Sequence, residues 1–223
     1  MLKSYIKKIA HAVVIAGFSA AHAGVYEDFF IAIQRDNPGS LRGLLERGFD
    51  PNTPDPNGQT GFALALRADA TKAAQVLAEH PAFDVNALNA AGESPLMLAA
   101  IRGNVALSRR LVERGARINL PGWTPLHYAA SGPAPELVAL LLDRGAEVDA
   151  ASPNASTPLM LAARYGSEAS VGLLLARGAD AGRRNQRDMN AADFAAEVGR
   201  SALAQQLHGA PRPARRQALS GCG

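Results

Sequence analysis

The chain has 223 residues, 48% of them hydrophobic, with 23 basic and 20 acidic side chains and one cysteine. That length and apolar share suffice for one sizeable folded domain, and a lone thiol excludes an internal disulfide framework. The +3 charge sits at the ends: with Lys3, Lys7, Lys8, Arg212, Arg215 and Arg216 set aside, 17 basic residues face 20 acidic ones, which excludes the clustered basic excess of a nucleic-acid binder.

Residues 1–23 are predicted to be a cleavable export signal. Lys3, Lys7 and Lys8 form a positive start, Ile9 to Ala21 is mostly apolar without fixed charge, and Ala21-His22-Ala23 fits the small-x-small cleavage rule. The apolar run is shorter than the ~20 residues a membrane-spanning helix needs. Cleavage after Ala23 is expected, with retention as an anchor the alternative. The short Lys-rich signal reads as bacterial, which predicts a periplasmic or secreted protein with no stable membrane span after cleavage.

From residue 26 the chain repeats. Residues 26–52 are a degenerate first unit, with Phe29, Phe30 and Ile33 on one helix, a break at Asp36-Asn37-Pro38-Gly39, and Leu41, Leu44 and Leu45 on the next. Residues 53–86 open with the turn signal Asp55-Pro56-Asn57-Gly58 and carry Thr60-Gly61-Phe62. Their second helix ends at His80-Pro81, without a left-handed glycine cap, so this joint must stop differently.

Residues 87–119 contain Ser94-Pro95-Leu96-Met97-Leu98-Ala99-Ala100, with Gly103 and Gly115 as helix terminators. Arg110 falls where other units place Val76, Leu140 and Leu173, and is read as snorkelling past its own stem, a buried pairing role being the alternative. Residues 120–149 hold Thr124-Pro125-Leu126-His127-Tyr128-Ala129-Ala130, with three residues missing between Asn119 and Gly122 and an early stop at Gly132-Pro133. Here Thr124 is expected to accept from an open amide of the first turn and Pro125 to occupy the first helical position. Residues 150–182 hold Thr157-Pro158-Leu159-Met160-Leu161-Ala162-Ala163, and 183–208 close the array with Asn190 to Ala196. The tail 209–223 is predicted to be disordered, basic and Pro/Arg-rich, with Cys222 either a chance thiol or an intermolecular disulfide. A period of 30–33 residues means a solenoid.

The heptads at 94–100, 124–130 and 157–163 come with a second signature, Leu-rich helices ending in Arg-Gly at 47–48, 114–115, 144–145 and 177–178. Together these resemble the ankyrin repeat family over residues 26–208. The resemblance implies an all-α solenoid of stacked helix–turn–helix units with β-hairpin loops. The column Leu64, Leu98, Tyr128, Leu161 and Phe194 is expected to be core. In the family the histidine at position 127 fixes the turn, and that is its expected role here. Arg47, Arg114, Arg144 and Arg177 are read as complements to helix dipoles, or alternatively as a ladder for an acidic partner.

Family members bind with hairpin tips and the concave side of the first helices. Carried onto this chain, that implies Gln59, Glu93, Trp123, Ser156 and Met189 at the hairpins, and Arg67, Ile101, Arg102, Arg164 and Tyr165 at the first-helix ends. Trp123, the sole tryptophan, either anchors a partner or folds over the gap left by the deletion. No metal-ligand spacing, phosphate loop or nucleophile elbow occurs, so no catalytic residue, metal or cofactor is assigned. The expected function is a monomeric, non-catalytic adaptor for an exported protein, not for nucleic acid. An inhibitor or immunity protein is the alternative within binding, and a small hydrolase on the same face the alternative of another class.

Overall fold

The computed structural model describes residues 20–210, with side chains from Gly24 onward. Most of the predicted signal and nearly all of the predicted tail, Cys222 included, lie outside the described residues. Twelve helices are described, in two compact units, Met1–Arg117 and Ile118–Gly223.

Unit 1 holds three packed pairs of successive helices: α1 (Ala20–Gln34) with α2 (Pro38–Glu46), α3 (Gly61–Arg67) with α4 (Thr71–Glu79), and α5 (Pro95–Ile101) with α6 (Val105–Glu113). The first helices α1, α3 and α5 stack side by side, and so do the second helices α2, α4 and α6. Unit 2 repeats the plan with α7 (Pro125–Ser131) and α8 (Pro135–Asp143), α9 (Pro158–Tyr165) and α10 (Glu168–Ala176), and α11 (Ala191–Glu197) and α12 (Ser201–His208). Helices this short are marginal in isolation and persist because neighbouring pairs bury their apolar faces.

The buried face of each first helix is set by a three-residue step. Leu96, Ala99 and Ala100 are buried together, as are Leu126, Ala129 and Ala130, and Leu159, Ala162 and Ala163. Residues at i, i+3 and i+4 share one side of a helix. The small alanines bring the helices close, and the large residue fills the space beneath.

This geometry corrects one expectation. Of the column read as core, only Phe194 is buried; Leu64, Leu98, Tyr128 and Leu161 are half-exposed. They lie two residues, about 200° of helix rotation, beyond the truly buried Phe62, Leu96, Leu126 and Leu159. A second correction concerns α7, which does not stop early: its seven residues equal α3 and α5 in length. The loops also differ from the expected β-hairpins. Among the described residues the one isolated bridge is Pro54 with Thr60.

The first pair departs from the rest for a visible reason. Phe29 packs on Phe30 and Phe49 at 5.0 and 4.6 Å between ring centroids. A Cβ at Gly61 would stand 2.8–2.9 Å from Ile33 and the Phe29 ring. Glycine therefore replaces the usual proline because the aromatic cluster of the first repeat occupies that space.

Candidate functional site

Four of the five loops that join one helix pair to the next are built on one turn. In each, a short polar residue accepts backbone N–H groups further along. Asp55 Oδ1 takes those of Asn57 and Gln59 at 2.9 and 2.7 Å. Asn89 Oδ1 takes Ala91 and Glu93, both at 2.9 Å. Asn185 Oδ1 takes Arg187 and Met189 at 2.9 and 3.1 Å. In the loop at 152–156, Asn154 Oδ1 takes the Ser156 N–H at 3.2 Å and also accepts the Ser152 hydroxyl at 2.6 Å. A positive φ closes each turn, at Gly58, Gly92, Ala155 and Asp188. The main-chain N–H of Asp55, Asn89, Ser152 and Asn185 then donates to the carbonyl of Gln59, Glu93, Ser156 and Met189. Such Asx-type turns fix the loop tip without a strand ladder. The loop at 119–123 lacks the residues to form one.

The first-helix starts share a second device. Thr60, Ser94 and Thr157 accept from the amide three residues on, at 3.2–3.4 Å. The reciprocal bond is made by different chemistries: Met97 Sδ accepts the Ser94 N–H, Met160 Sδ that of Thr157, and Asp193 Oδ2 that of Asn190. At Thr124 the reciprocal acceptor is a ring nitrogen. His127 Nδ1 accepts the Thr124 N–H at 3.2 Å and stands 2.9 Å from its hydroxyl, while Nε2 faces the Ser156 carbonyl at 3.0 Å. Nε2 faces acceptors only, so it carries the proton, and Nδ1 accepts. Burial pushes the imidazole pKa below its usual 6.5, against the opposing pull of the Ser156 and Ala150 carbonyls. His127 is fully buried, as a turn-fixing residue should be.

In unit 1 the structure brings Gln59 and Arg67 together, with Arg67 Nη2 donating to Gln59 Oε1 at 3.1 Å. Arg102 reaches the Arg67 carbonyl at 3.3 Å and pairs with Asp69 at 3.4 Å. Glu93 is held by Asn89 Nδ2 at 2.9 Å, and Ile101 is half-exposed. In unit 2, Arg164 and Tyr165 meet. The Arg164 guanidinium lies over the Tyr165 ring at 5.3 Å and the Phe194 ring at 6.0 Å, and bonds Glu197. Trp123 is 38% exposed, with its ring edge-on to His127 at 5.3 Å. Met189 is half-buried. Ser156 does not join the surface: it is 1% exposed, and its Oγ faces Asn185 Nδ2 at 3.3 Å.

A family model for ankyrin repeats in three copies matches residues 29–121, 81–152 and 117–185, more than half of the chain. The chain belongs to the ankyrin repeat family. An 81-residue stretch, 34% of this chain, is 48% identical to 4% of the neurogenic locus notch homolog protein 4 of Homo sapiens. A 122-residue stretch, 53% of the chain, is 34% identical to 5% of notch homolog protein 1 of Xenopus tropicalis. Against the ankyrin repeat and SAM domain-containing protein 6 of Mus musculus, identity is 36% over 111 residues, 48% of the chain and 13% of the relative. The chain thus spans a small fraction of the length of these relatives. Ankyrin repeats make this a protein–protein interaction domain.

Several functional side chains of these ankyrin units escaped the sequence reading. Arg114 was read as a complement to its own helix dipole. It is the C-cap of α6 and donates back to the carbonyls of Ala78, His80, Pro81 and Phe83 at the end of α4. That closes the joint at which glycine is missing. Arg200 does the same for α9, reaching Ala162, Ala163 and Gly166 at 2.9–3.2 Å. Arg177 pairs with Asp143 of the preceding repeat at 2.8 Å. Arg110 keeps its head half-exposed, 4.0 Å from Glu79, in line with snorkelling. The recurrence of Asn52, Asn86 and Asn119 was an available signal: each bonds the next repeat through both amide atoms. Among the described residues no three His, Cys, Asp or Glu side chains converge on a metal-sized site. No described helix is long and apolar enough to cross a membrane.

Proposed function

We propose that the protein is a non-catalytic adaptor that is exported to the bacterial envelope and docks one specific exported protein through its loop tips and first-helix ends. One observation carries the reading. Two large aromatic side chains, Trp123 in the loop just before α7 and Tyr165 at the end of α9, are 38% and 62% exposed, beside helix ends tied off by the His127–Ser156 and Arg200–Ala163 hydrogen bonds. Exposed Trp, Tyr and Arg are the residues that anchor interfaces, and a preordered support loses little entropy on binding. Export rests on the basic-apolar-small pattern of residues 1–23.

The test is a capture from envelope extract with the wild type beside Trp123→Ala and Tyr165→Ala. One protein recovered by the wild type and lost with either variant supports the adaptor. Recovery of nothing, or of the same set with all three, overturns it. Export is tested separately by fusing residues 1–30 to a reporter enzyme that is active only outside the cytoplasm.

A further inference from the structure

We propose that Asn57 is a self-modification site, converted with water to aspartate and isoaspartate, and that Asp55 sets the rate by tying down both reacting groups in the folded loop. The proposal does not depend on the adaptor reading. Asn57–Gly58 is the one Asn-Gly step in the sequence. The attacking group is the main-chain nitrogen of the following residue, and a glycine there has no Cβ to obstruct its approach. The Gly58 nitrogen, its proton given up to solvent base, adds to Asn57 Cγ. The Cγ–Nδ2 bond breaks, and ammonia leaves with a proton from solvent, which closes a cyclic imide. Water then opens the ring. Cleavage at Cγ leaves aspartate. Cleavage at the main-chain carbonyl leaves isoaspartate, in which the backbone runs through the former side chain. No atom is oxidised or reduced.

The folded loop restrains this reaction through one residue. The Gly58 N–H donates to the Asp55 carbonyl at 2.9 Å, so the nucleophile is tied off. Asn57 Nδ2, the leaving nitrogen, donates to Asp55 Oδ2 at 3.2 Å. Asp55 Oδ1 takes the N–H groups of Asn57 and Gln59. Asp55 is buried, while Asn57 and Gly58 are exposed to water. Pro56 adds a fixed φ to the same turn. Reaction therefore waits for the loop to open locally. The turn at 152–156 supplies a contrast. Asn154 also precedes a residue of positive φ, but that residue is Ala155, whose Cβ stands in the way of attack.

The product does not fit the loop that it forms in. Aspartate at 57 puts a second carboxylate where Asp55 Oδ2 had a donor, and two ionised acceptors repel. Isoaspartate adds a methylene to the main chain between the Asp55 carbonyl and the Gly58 N–H. Either change unfastens Gln59, whose N–H and carbonyl are both held by Asp55. With it goes the support that Gln59 gives Arg67.

The experiment incubates the purified full chain in mildly alkaline buffer, folded and in urea. Peptide mapping by mass spectrometry, with the aspartate and isoaspartate forms separated, follows every asparagine. Expected is conversion at Asn57 ahead of the others, Asn154 included, fast in urea and slow in the folded wild type. Folded Asp55→Ala should convert about tenfold or more faster than the folded wild type, because losing hydrogen bonds to a charged group raises the open population. Asp55→Asn, which copies Asn89 and Asn185, should stay closer to the wild type. Circular dichroism checks that both variants fold, and the comparison of wild type with and without urea needs no variant. Equal rates for the wild type folded and in urea overturn the proposal, as do equal rates for folded Asp55→Ala and wild type. So does earlier conversion at any other asparagine, or none in urea. None of these outcomes bears on the adaptor, which the extract capture tests.

Discussion

His127 Nε2 lies 3.0 Å from the carbonyl oxygen of Ser156, in the next repeat along the chain. Because burial holds its pKa below 6.5, the unfolded chain takes up the proton first as pH falls. The stabilisation is complete above pH ~6.5 and is lost on acidification toward the lower folded-state value. A protonated ring would turn a donor on the Thr124 N–H. His127→Met copies Met97 and Met160, which hold the same position without titrating. Melting temperatures between about pH 7.5 and 5 should fall further for the wild type than for His127→Met. Equal slopes would show that the ring does not carry this dependence.

Arg114 is expected to matter more than its place at a helix end suggests. Arg114→Ala opens the carbonyls of Ala78, His80, Pro81 and Phe83 together, at a cost of about 1.5–3 kcal/mol. Arg114→Lys should recover less than half, because an ammonium lacks the planar fork. Urea denaturation measures both, and hydrogen exchange should rise at residues 80–84 first.

Leu96 and Leu98 separate the true core from the apparent one. Leu96 is fully buried and Leu98 half-exposed. Leu96→Ala should cost ~2–5 kcal/mol, and Leu98→Ala about 1 kcal/mol. Equal losses in a denaturant titration would contradict the packing described here.

Asp149 continues the ladder of Asn52, Asn86 and Asn119, accepting the Asp180 N–H at 3.1 Å but offering no donor when ionised. Burial raises its pKa above 3.8, outweighing the Asp180 amide and Arg183. The ionised form therefore detracts from stability at neutral pH, and acid relieves this. Asp149→Asn should raise stability by about 0.5–1.5 kcal/mol at pH 7, with the gain shrinking toward pH 4. A loss at pH 7 would mean that the pairing with Arg183 outweighs burial.

The repeats and their helix pairs were legible because each heptad carries its own start signal and recurs at a fixed interval. The core was less so. Leu98, Tyr128 and Leu161 form as regular an apolar column as Leu96, Leu126 and Leu159, and regularity alone does not say which side of a seven-residue helix meets a neighbour. The alanine pairs do, since they share the i+3 and i+4 face with the first leucine. Of the candidate site, the place of Arg164 and Tyr165 in the last turn of a first helix was legible, but the guanidinium lying over the Tyr165 ring was not. Nor was the burial of Ser156, because it depends on His127 and Asn185 arriving from adjacent repeats. The reach of Arg114 and Arg200 was hidden for the same reason: their acceptors lie 31–38 residues upstream.

Those backward-reaching arginines give the chain a direction. The last turn of α9 is present in sequence by Tyr165, yet the carbonyls of Ala162, Ala163 and Gly166 wait for Arg200. During synthesis a helix would thus leave the ribosome with its end open and be sealed only when the following repeat has emerged. A nick or early stop just before Arg200 would spare every residue of α9 and still loosen it, so damage at the C-terminal edge is felt one repeat upstream of the cut.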